Sequence, residues 1–197
     1  MKSLMFVTAA ASTLALALPA AAQGWSVSTP EHTGAYGELG YTGTSIHGAD
    51  QSIIDGRLGW RFNRFIGAEG ELGVGVSGGA RTFGADTTTP VGVGLKQRYN
   101  AAGYVVGYLP LTPRADLFAR VGYGAAQYRL DPAGLAQYDA HTNGFRFGGG
   151  AQFFVDGQNG IRAQYTRYDI QNLSDAGGYF GGDRSTNEWS VALSHRF

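Results

Sequence analysis

Apolar and polar residues alternate along most of the chain beyond residue 34, most strictly at its end. Trp189, Val191, Leu193, His195 and Phe197 share one parity, and Glu188, Ser190, Ala192, Ser194 and Arg196 share the other. A period of two makes a strand with two unlike faces. The same pattern predicts eight strands, at residues 35–43, 51–62, 66–76, 97–109, 116–129, 144–155, 160–169 and 187–197. Their connections alternate in length. Residues 43–50, 77–96, 129–143 and 171–186 read as long polar loops. Short turns follow Phe62, lie between Pro110 and Pro113, and span 156–160.

The second and third strands define a register. Ile54, Leu58, Trp60 and Phe62 oppose Asp55, Arg57 and Arg61 in parity, and Ile66, Ala68, Leu72 and Val74 oppose Glu69 and Glu71. Phe62 faces Ile66 on a shared side only if the turn holds an odd number of residues. Asn63, Arg64 and Phe65 supply three. No glycine lies in that turn, so its ends are less sharply marked than its pairing.

Alternation does not say which face is inside. One parity collects Glu38, Asp55, Arg57, Arg61, Glu69, Glu71, Arg120, Arg146, Arg162, Glu188 and Arg196, with glycines between them. The other collects aliphatic side chains and Tyr41, Trp60, Phe62, Tyr104, Tyr108, Phe145, Phe153, Tyr165, Trp189 and Phe197. A soluble barrel turns its apolar face inward; a barrel in lipid turns it outward. The interior of an eight-stranded barrel is only wide enough for side chains. Glycines beside long charges fill such a space, with guanidinium forks bridging carboxylates. A cation on the lipid face near the midplane costs roughly 2–4 kcal/mol, and strand charges avoid the aromatic parity. Arg167 is the main exception, expected near the outer rim where it reaches headgroups. The pattern therefore predicts an all-β fold, an eight-stranded antiparallel up-and-down transmembrane β-barrel. Its lumen holds the charges, and its aromatic residues supply two interfacial girdles.

The first residues add a destination. Lys2 precedes an apolar run from Leu4 to Leu18, and Ala20-Ala21-Ala22 offers an Ala-x-Ala cleavage site. Residues 1–22 are read as a cleaved signal peptide and 23–197 as the barrel. No later stretch is apolar for the roughly 20 residues a membrane helix needs, so a mature chain that spans a membrane must do so as a closed barrel. Composition agrees, since 32 Gly, 11 Tyr and 11 Phe favour short strands and turns. The formal net charge is zero, so no basic field points to nucleic acid. The absence of cysteine rules out disulfides and thiolate metal sites.

Candidate chemistry is sparse. Ser45, His47 and Asp50 contain the types of a hydrolase triad, but triads are set by geometry, and three polar loop residues explain them as well. Asp139 and His141 are two metal-ligand types without a third. Gly148-Gly149-Gly150 and Gly177-Gly178 lack the Lys-Ser/Thr that follows a phosphate loop. Glu69 and Glu71 share a face with arginines, which predicts a salt-bridge network rather than acid–base catalysis. His195, on the lipid parity near a strand end, is expected at the interface. No catalytic, cofactor-binding or metal-binding residue is assigned.

Three stretches carry a family resemblance: residues 34–41 (GAYGELGY), the hairpin 59–69 (GWRFNRFIGAE) and 117–124 (LFARVGYG). They resemble the small outer-membrane β-barrel family, which includes the opacity-type surface antigens and the membrane domain of outer membrane protein A. The resemblance covers nearly all of the mature chain. It implies residence in the outer membrane of a Gram-negative-type bacterium, in contact with its lipid and lipopolysaccharide. It also implies that Trp189, Val191, Leu193 and Phe197 of the closing strand form an assembly signal for the barrel-assembly machinery. No periplasmic peptidoglycan-binding domain is expected after Phe197. The expected role is structural and surface-interactive, with four extracellular loops; the alternatives are a small-solute channel and a lipid A-modifying enzyme.

Overall fold

The computed structural model describes residues 33–46, 49–83, 91–132, 138–173 and 185–197. The expected signal peptide, 1–22, and His47 lie outside the described residues. Nine strand segments follow one another: β1 (Gly34–Ile46), β2 (Ala49–Arg61), β3 (Ile66–Ser77), β4 (Gly79–Phe83), β5 (Val91–Thr112), β6 (Ala115–Pro132), β7 (Tyr138–Phe154), β8 (Asn159–Leu173) and β9 (Ser185–Arg196). β3 and β4 lie end to end along β5, with Val74 opposite Tyr99 and Gly79 opposite Leu95. They form one stave interrupted at Gly78, so the nine segments build the eight staves the alternation predicts. β1 pairs with β9 from Tyr36↔Arg196 to Ser45↔Asn187, and β3 pairs with β5, which closes the sheet. The final residue joins the closure, its N–H donating to the Ala35 carbonyl at 3.1 Å. A closed sheet satisfies its own backbone groups, the condition for crossing hydrocarbon.

The short turns are built by side chains as much as by backbone. Arg61 faces Gly67 and Trp60 faces Ala68, the register that sets Phe62 toward Ile66. The turn lacks glycine because Asn63 replaces what glycine would supply. Its Oδ1 accepts the N–H groups of Phe65 and Ile66 at 2.8 and 2.9 Å. In the β7–β8 turn, Asp156 Oδ1 accepts the N–H groups of Gln158 and Asn159 at 2.9 and 2.6 Å, and Gly157 takes the left-handed conformation at φ +88°. The β5–β6 turn is tighter than expected. Pro110 remains within β5 opposite Asp116, next to a register shift that accommodates its missing donor, and only Pro113 and Arg114 separate the strands.

At the other end the long loops are shorter than expected. Residues 43–46 and 49–50 continue β1 and β2, so 43–50 is not one loop. The span 77–96 contains β4 and the start of β5, while β6, β7, β8 and β9 take up parts of 129–143 and 171–186. β5, β6 and β7 have 22, 18 and 17 residues, although crossing the bilayer needs about 9–11. The surplus stands beyond the membrane, opposite the short turns. Polar composition there marks water around the strands rather than loss of pairing.

Sidedness follows the charges. Leu39, Leu58, Leu72, Leu193 and Phe197 point outward, with Leu58 72% exposed, while the ionic parity is buried apart from half-buried Arg196 near the end of β9. Tyr104 and Tyr108 depart from the expected girdle. Both are buried, in a cluster with Val106 and Phe118. Cross-strand register is the cause: Tyr104 sits opposite Glu69 on β3 and Val106 opposite Arg120 on β6, so this parity of β5 is the inner one. Val105 and Leu109 take the lipid side. Tyr41, Trp60, Phe62, Phe145, Tyr165, Trp189 and Phe197 are exposed on the outer face, and Phe153 is half-buried there.

Candidate functional site: the ionic lumen

The inward parities of seven staves converge on one buried ionic network. Arg162 Nη1 lies 2.7 Å from Glu69 Oε2 and 3.0 Å from Glu38 Oε1. Arg120 Nη1 sits between Glu69 Oε1 at 2.8 Å and Glu71 Oε2 at 3.0 Å, and its Nη2 donates to Thr166 Oγ1 at 2.9 Å. Arg57 reaches Glu71 at 2.9 Å, Asp55 at 2.5 Å and Glu38 at 3.4 Å, and donates to Ser190 Oγ at 2.8 Å. Arg146 bridges Glu188 at 3.2 Å and Glu71 at 3.4 Å. Glu71 is therefore shared by three guanidiniums.

Aromatic residues complete the packing. The guanidinium carbons of Arg120, Arg146 and Arg162 lie 4.0, 4.3 and 3.8 Å from the ring centres of Tyr104, Tyr168 and Phe118, within cation–π range. Tyr108 donates its hydroxyl to that of Tyr36 at 2.8 Å, and Tyr36 donates to Glu69 at 3.0 Å. Tyr36 lies across the pair from Gly59, where any Cβ would overlap its ring, so this glycine makes room for the hydroxyl chain.

A second layer lies nearer the short turns. Asp116 Oδ2 accepts from Arg61 at 3.0 Å, Arg196 at 3.1 Å and Gln152 at 2.7 Å. Every residue assigned to the lumen from sequence occupies one of these two layers. Asp116 was missed, although it shares parity with Arg120 and opens β6. With it, six guanidiniums meet six carboxylates. Partnership on this scale is what permits such burial, because an unpaired ion in low dielectric is far too costly. The hydroxyls of Thr42, Thr166 and Ser190 bond to carboxylate or guanidinium groups. The arrangement fills the lumen, with Arg146 and Arg162 wholly out of solvent.

The remaining candidates lie elsewhere. Trp189, Val191, Leu193 and Phe197 are exposed on the outer face of β9. His195 Nδ1 is 2.8 Å from Asn159 Oδ1, and its ring meets Phe197 edge-on at 5.0 Å. Arg167 pairs with Asp169 at 3.0 Å and donates to Ser185 at 3.0 Å, toward the loop ends of β8 and β9. Ser45 and Asp50 face each other across β1 and β2. Asp139 pairs with Arg98 and Arg129 at 3.4 Å each. Among the described residues, no group of three His, Cys, Asp or Glu is placed to hold a metal ion.

A closed antiparallel barrel with ions inside, apolar side chains outside and short turns at one end is a transmembrane barrel of the bacterial outer membrane. The chain belongs to the outer membrane protein beta-barrel domain family, which matches residues 8–197. No curated protein sequence matches it. Solved outer-membrane barrels share its fold, three of them as follows. The outer membrane protein OprG from Pseudomonas aeruginosa has 12% identity and a TM-score of 0.59, covering 86% of this chain and 98% of that one. Ail, the attachment invasion locus protein of Yersinia pestis, solved with the heparin analogue sucrose octasulfate, has 14% identity and a TM-score of 0.55, covering 84% and 99%. The N-terminal β-barrel domain of Pseudomonas aeruginosa OprF has 8% identity and a TM-score of 0.53, covering 84% and 99%. At these identities the likeness establishes fold alone. The protein is a cell outer membrane protein of the Gram-negative type.

Proposed function

We propose that this protein is a surface-interactive anchor, a barrel that presents its loop-side strands outside the cell and conducts no solute through its centre. The observation that carries the reading is the lumen, where buried ion pairs occupy the space a pore would need. The length of β5, β6 and β7 supports it, since their surplus forms a ribbon standing clear of the bilayer. The same barrel architecture carries Ail, an attachment protein by name. Lipid and lipopolysaccharide surround the apolar belt in this reading, and the barrel-assembly machinery engages Trp189, Val191, Leu193 and Phe197. No catalytic role is proposed.

Two measurements test it. In planar bilayers the protein gives no large, steady conductance, and a stable open channel refutes the filled lumen. In cells, cutting residues 79–95 to a short Gly-Ser turn keeps the heat-shifted gel mobility of a folded barrel but abolishes surface adhesion. Unchanged adhesion refutes the surface role.

A further inference from the structure

The outer face of β2, β3, β5 and β6 is not evenly covered. A groove of about 760 Å³ runs across it, bordered by Leu58, Leu72 and Tyr123. Its floor is backbone and small residues. Gly70 faces Gly103 across β3 and β5, Gly56 faces Leu72, and Ala101 faces Ala125. A Cβ added at Gly56 or Gly70 meets nothing closer than 3.9 Å, and one at Gly103 meets nothing within 4 Å. Unlike Gly59, these glycines make room for no side chain of the barrel. They leave a hollow open to hydrocarbon.

Cations stand directly above it. Going up β5 and β6 from Ala101 and Ala125, Tyr99 faces Gln127 and Lys96 faces Arg129. Residues 117–127 of β6 make up the about 9–11 that cross the bilayer, so Arg129 stands at headgroup level, about 13 Å from Ala125 at the strand rise. The short turns face the periplasm, which puts this rim in the outer leaflet. A bulge between Gln97 and Tyr99 adds Arg98 to the exposed face. Arg98 and Arg129 each reach a different oxygen of Asp139 at 3.4 Å, and their side chains stay 46% and 40% exposed. The shared carboxylate draws the two guanidiniums together and leaves most of their donors to an outside partner. Asp131 is the other carboxylate of this rim, opposite Gly94, and His141 faces Gln127. Three cations thus meet two carboxylates. Arg98 lies nearest the groove and Asp131 farthest from it.

Only an amphiphile engages both features. Hydrocarbon fills the groove, and a phosphate at headgroup level meets the forked donors above it. We infer that this face binds one anionic, phosphate-bearing acylated lipid of the outer leaflet, its phosphate on Arg98, Arg129 and Lys96 and one acyl chain over Gly70 and Gly103. The site uses the sidedness of the barrel and not its adhesive role, so the adhesion test does not bear on it.

Native mass spectrometry of the refolded protein in dodecyl maltoside tests the site, with diphosphoryl lipid A and zwitterionic dioleoylphosphatidylcholine added separately. One lipid A is expected to remain bound under conditions that strip phosphatidylcholine. Replacing Arg98 and Arg129 together by glutamine lowers the bound fraction by about tenfold, the loss of charge-assisted hydrogen bonds. Gly103→Leu fills the groove and lowers it several-fold while keeping the heat-shifted gel mobility of a folded barrel. Arg167→Gln, at the rim of β8, leaves it unchanged, and inorganic phosphate does not displace the lipid. Equal retention of both lipids overturns the inference, since the groove then holds ordinary solvent lipid. So does displacement by inorganic phosphate, wild-type binding in Gly103→Leu or in the double glutamine variant, or loss in Arg167→Gln. A dimer that Gly103→Leu abolishes also overturns it, by giving the groove to a second copy of the chain.

Discussion

Replacing Arg162 by methionine tests the lumen network most directly. Arg162 is wholly buried and makes ion pairs of 2.7 and 3.0 Å with Glu69 and Glu38, whose side chains are equally buried. Methionine keeps most of the volume over Phe118 and removes only the charge and its donors. Glu69 retains Arg120, and Glu38 retains Arg57 at 3.4 Å, but the lumen is left with one carboxylate in excess. Stranding a buried charge costs about 3–5 kcal/mol. With an m value of about 2 kcal/mol per molar urea, the unfolding midpoint falls by roughly 2 M. Arg167→Met supplies the internal standard. Its pair with Asp169 is about half exposed, 48% and 46%, and such pairs contribute about 0–1 kcal/mol. Urea unfolding in lipid vesicles, followed by tryptophan fluorescence, reads both, because Trp60 and Trp189 leave the bilayer face on unfolding. Adding Glu69→Gln to Arg162→Met removes the stranded charge and recovers about 1 kcal/mol or more. Equal losses for Arg162→Met and Arg167→Met, or no recovery in the double variant, would refute a network that depends on charge balance.

Three further outcomes follow from single positions. Gly59→Ala places a Cβ in the Tyr36 ring and lowers barrel stability by about 1–3 kcal/mol; Gly103→Ala, with no atom within 4 Å of its added Cβ, leaves the urea midpoint unchanged. Asp156 is held at about 2 because the Asn159 amide and two backbone N–H groups stabilise its carboxylate. A depressed folded value means that its contribution is present above the ordinary aspartate range and is lost as pH falls toward 2. The Gln158 and Asn159 amide resonances therefore titrate with a midpoint near 2, and one near 4 contradicts the turn geometry. Phe197→Ser removes a lipid-facing ring that is 75% exposed on the outer face, so folding in vitro loses about 1–3 kcal/mol, as it does in Phe62→Ser on the same face, while assembly in cells falls several-fold further for Phe197→Ser than for Phe62→Ser; equal assembly losses would deny the residue a role as a signal.

Strand number, the β2–β3 register and the ionic face were legible because they depend on contrast within one strand. Where glutamate and arginine alternate with leucine and tryptophan, as on β2, β3 and β9, a single stave states its own sidedness. Asn63 was harder to read, since a side chain that imitates glycine in a turn leaves no mark in a search for flexible residues. The overestimated loops have a similar origin. Polarity alone suggests loss of strand, whereas beyond the bilayer a strand is polar on both faces and still pairs.

β5 failed for a different reason. Tyr104, Val106 and Tyr108 alternate with Val105, Gly107 and Leu109, so both parities are apolar and a count of hydrophobicity cannot separate them. Nor does turn length help, because β3 and β5 are joined through 77–90 rather than by a tight turn of defined register. What separates them is the demand of neighbouring staves. The lumen holds carboxylates with lone pairs to satisfy, and only one parity of β5 carries hydroxyls that donate to them: Tyr104 reaches Glu71 at 3.4 Å, and Tyr108 reaches Glu69 through Tyr36. Valine and leucine gain nothing there and lose nothing in lipid. In a stave with two apolar faces, the face that can donate a hydrogen bond turns toward the ions.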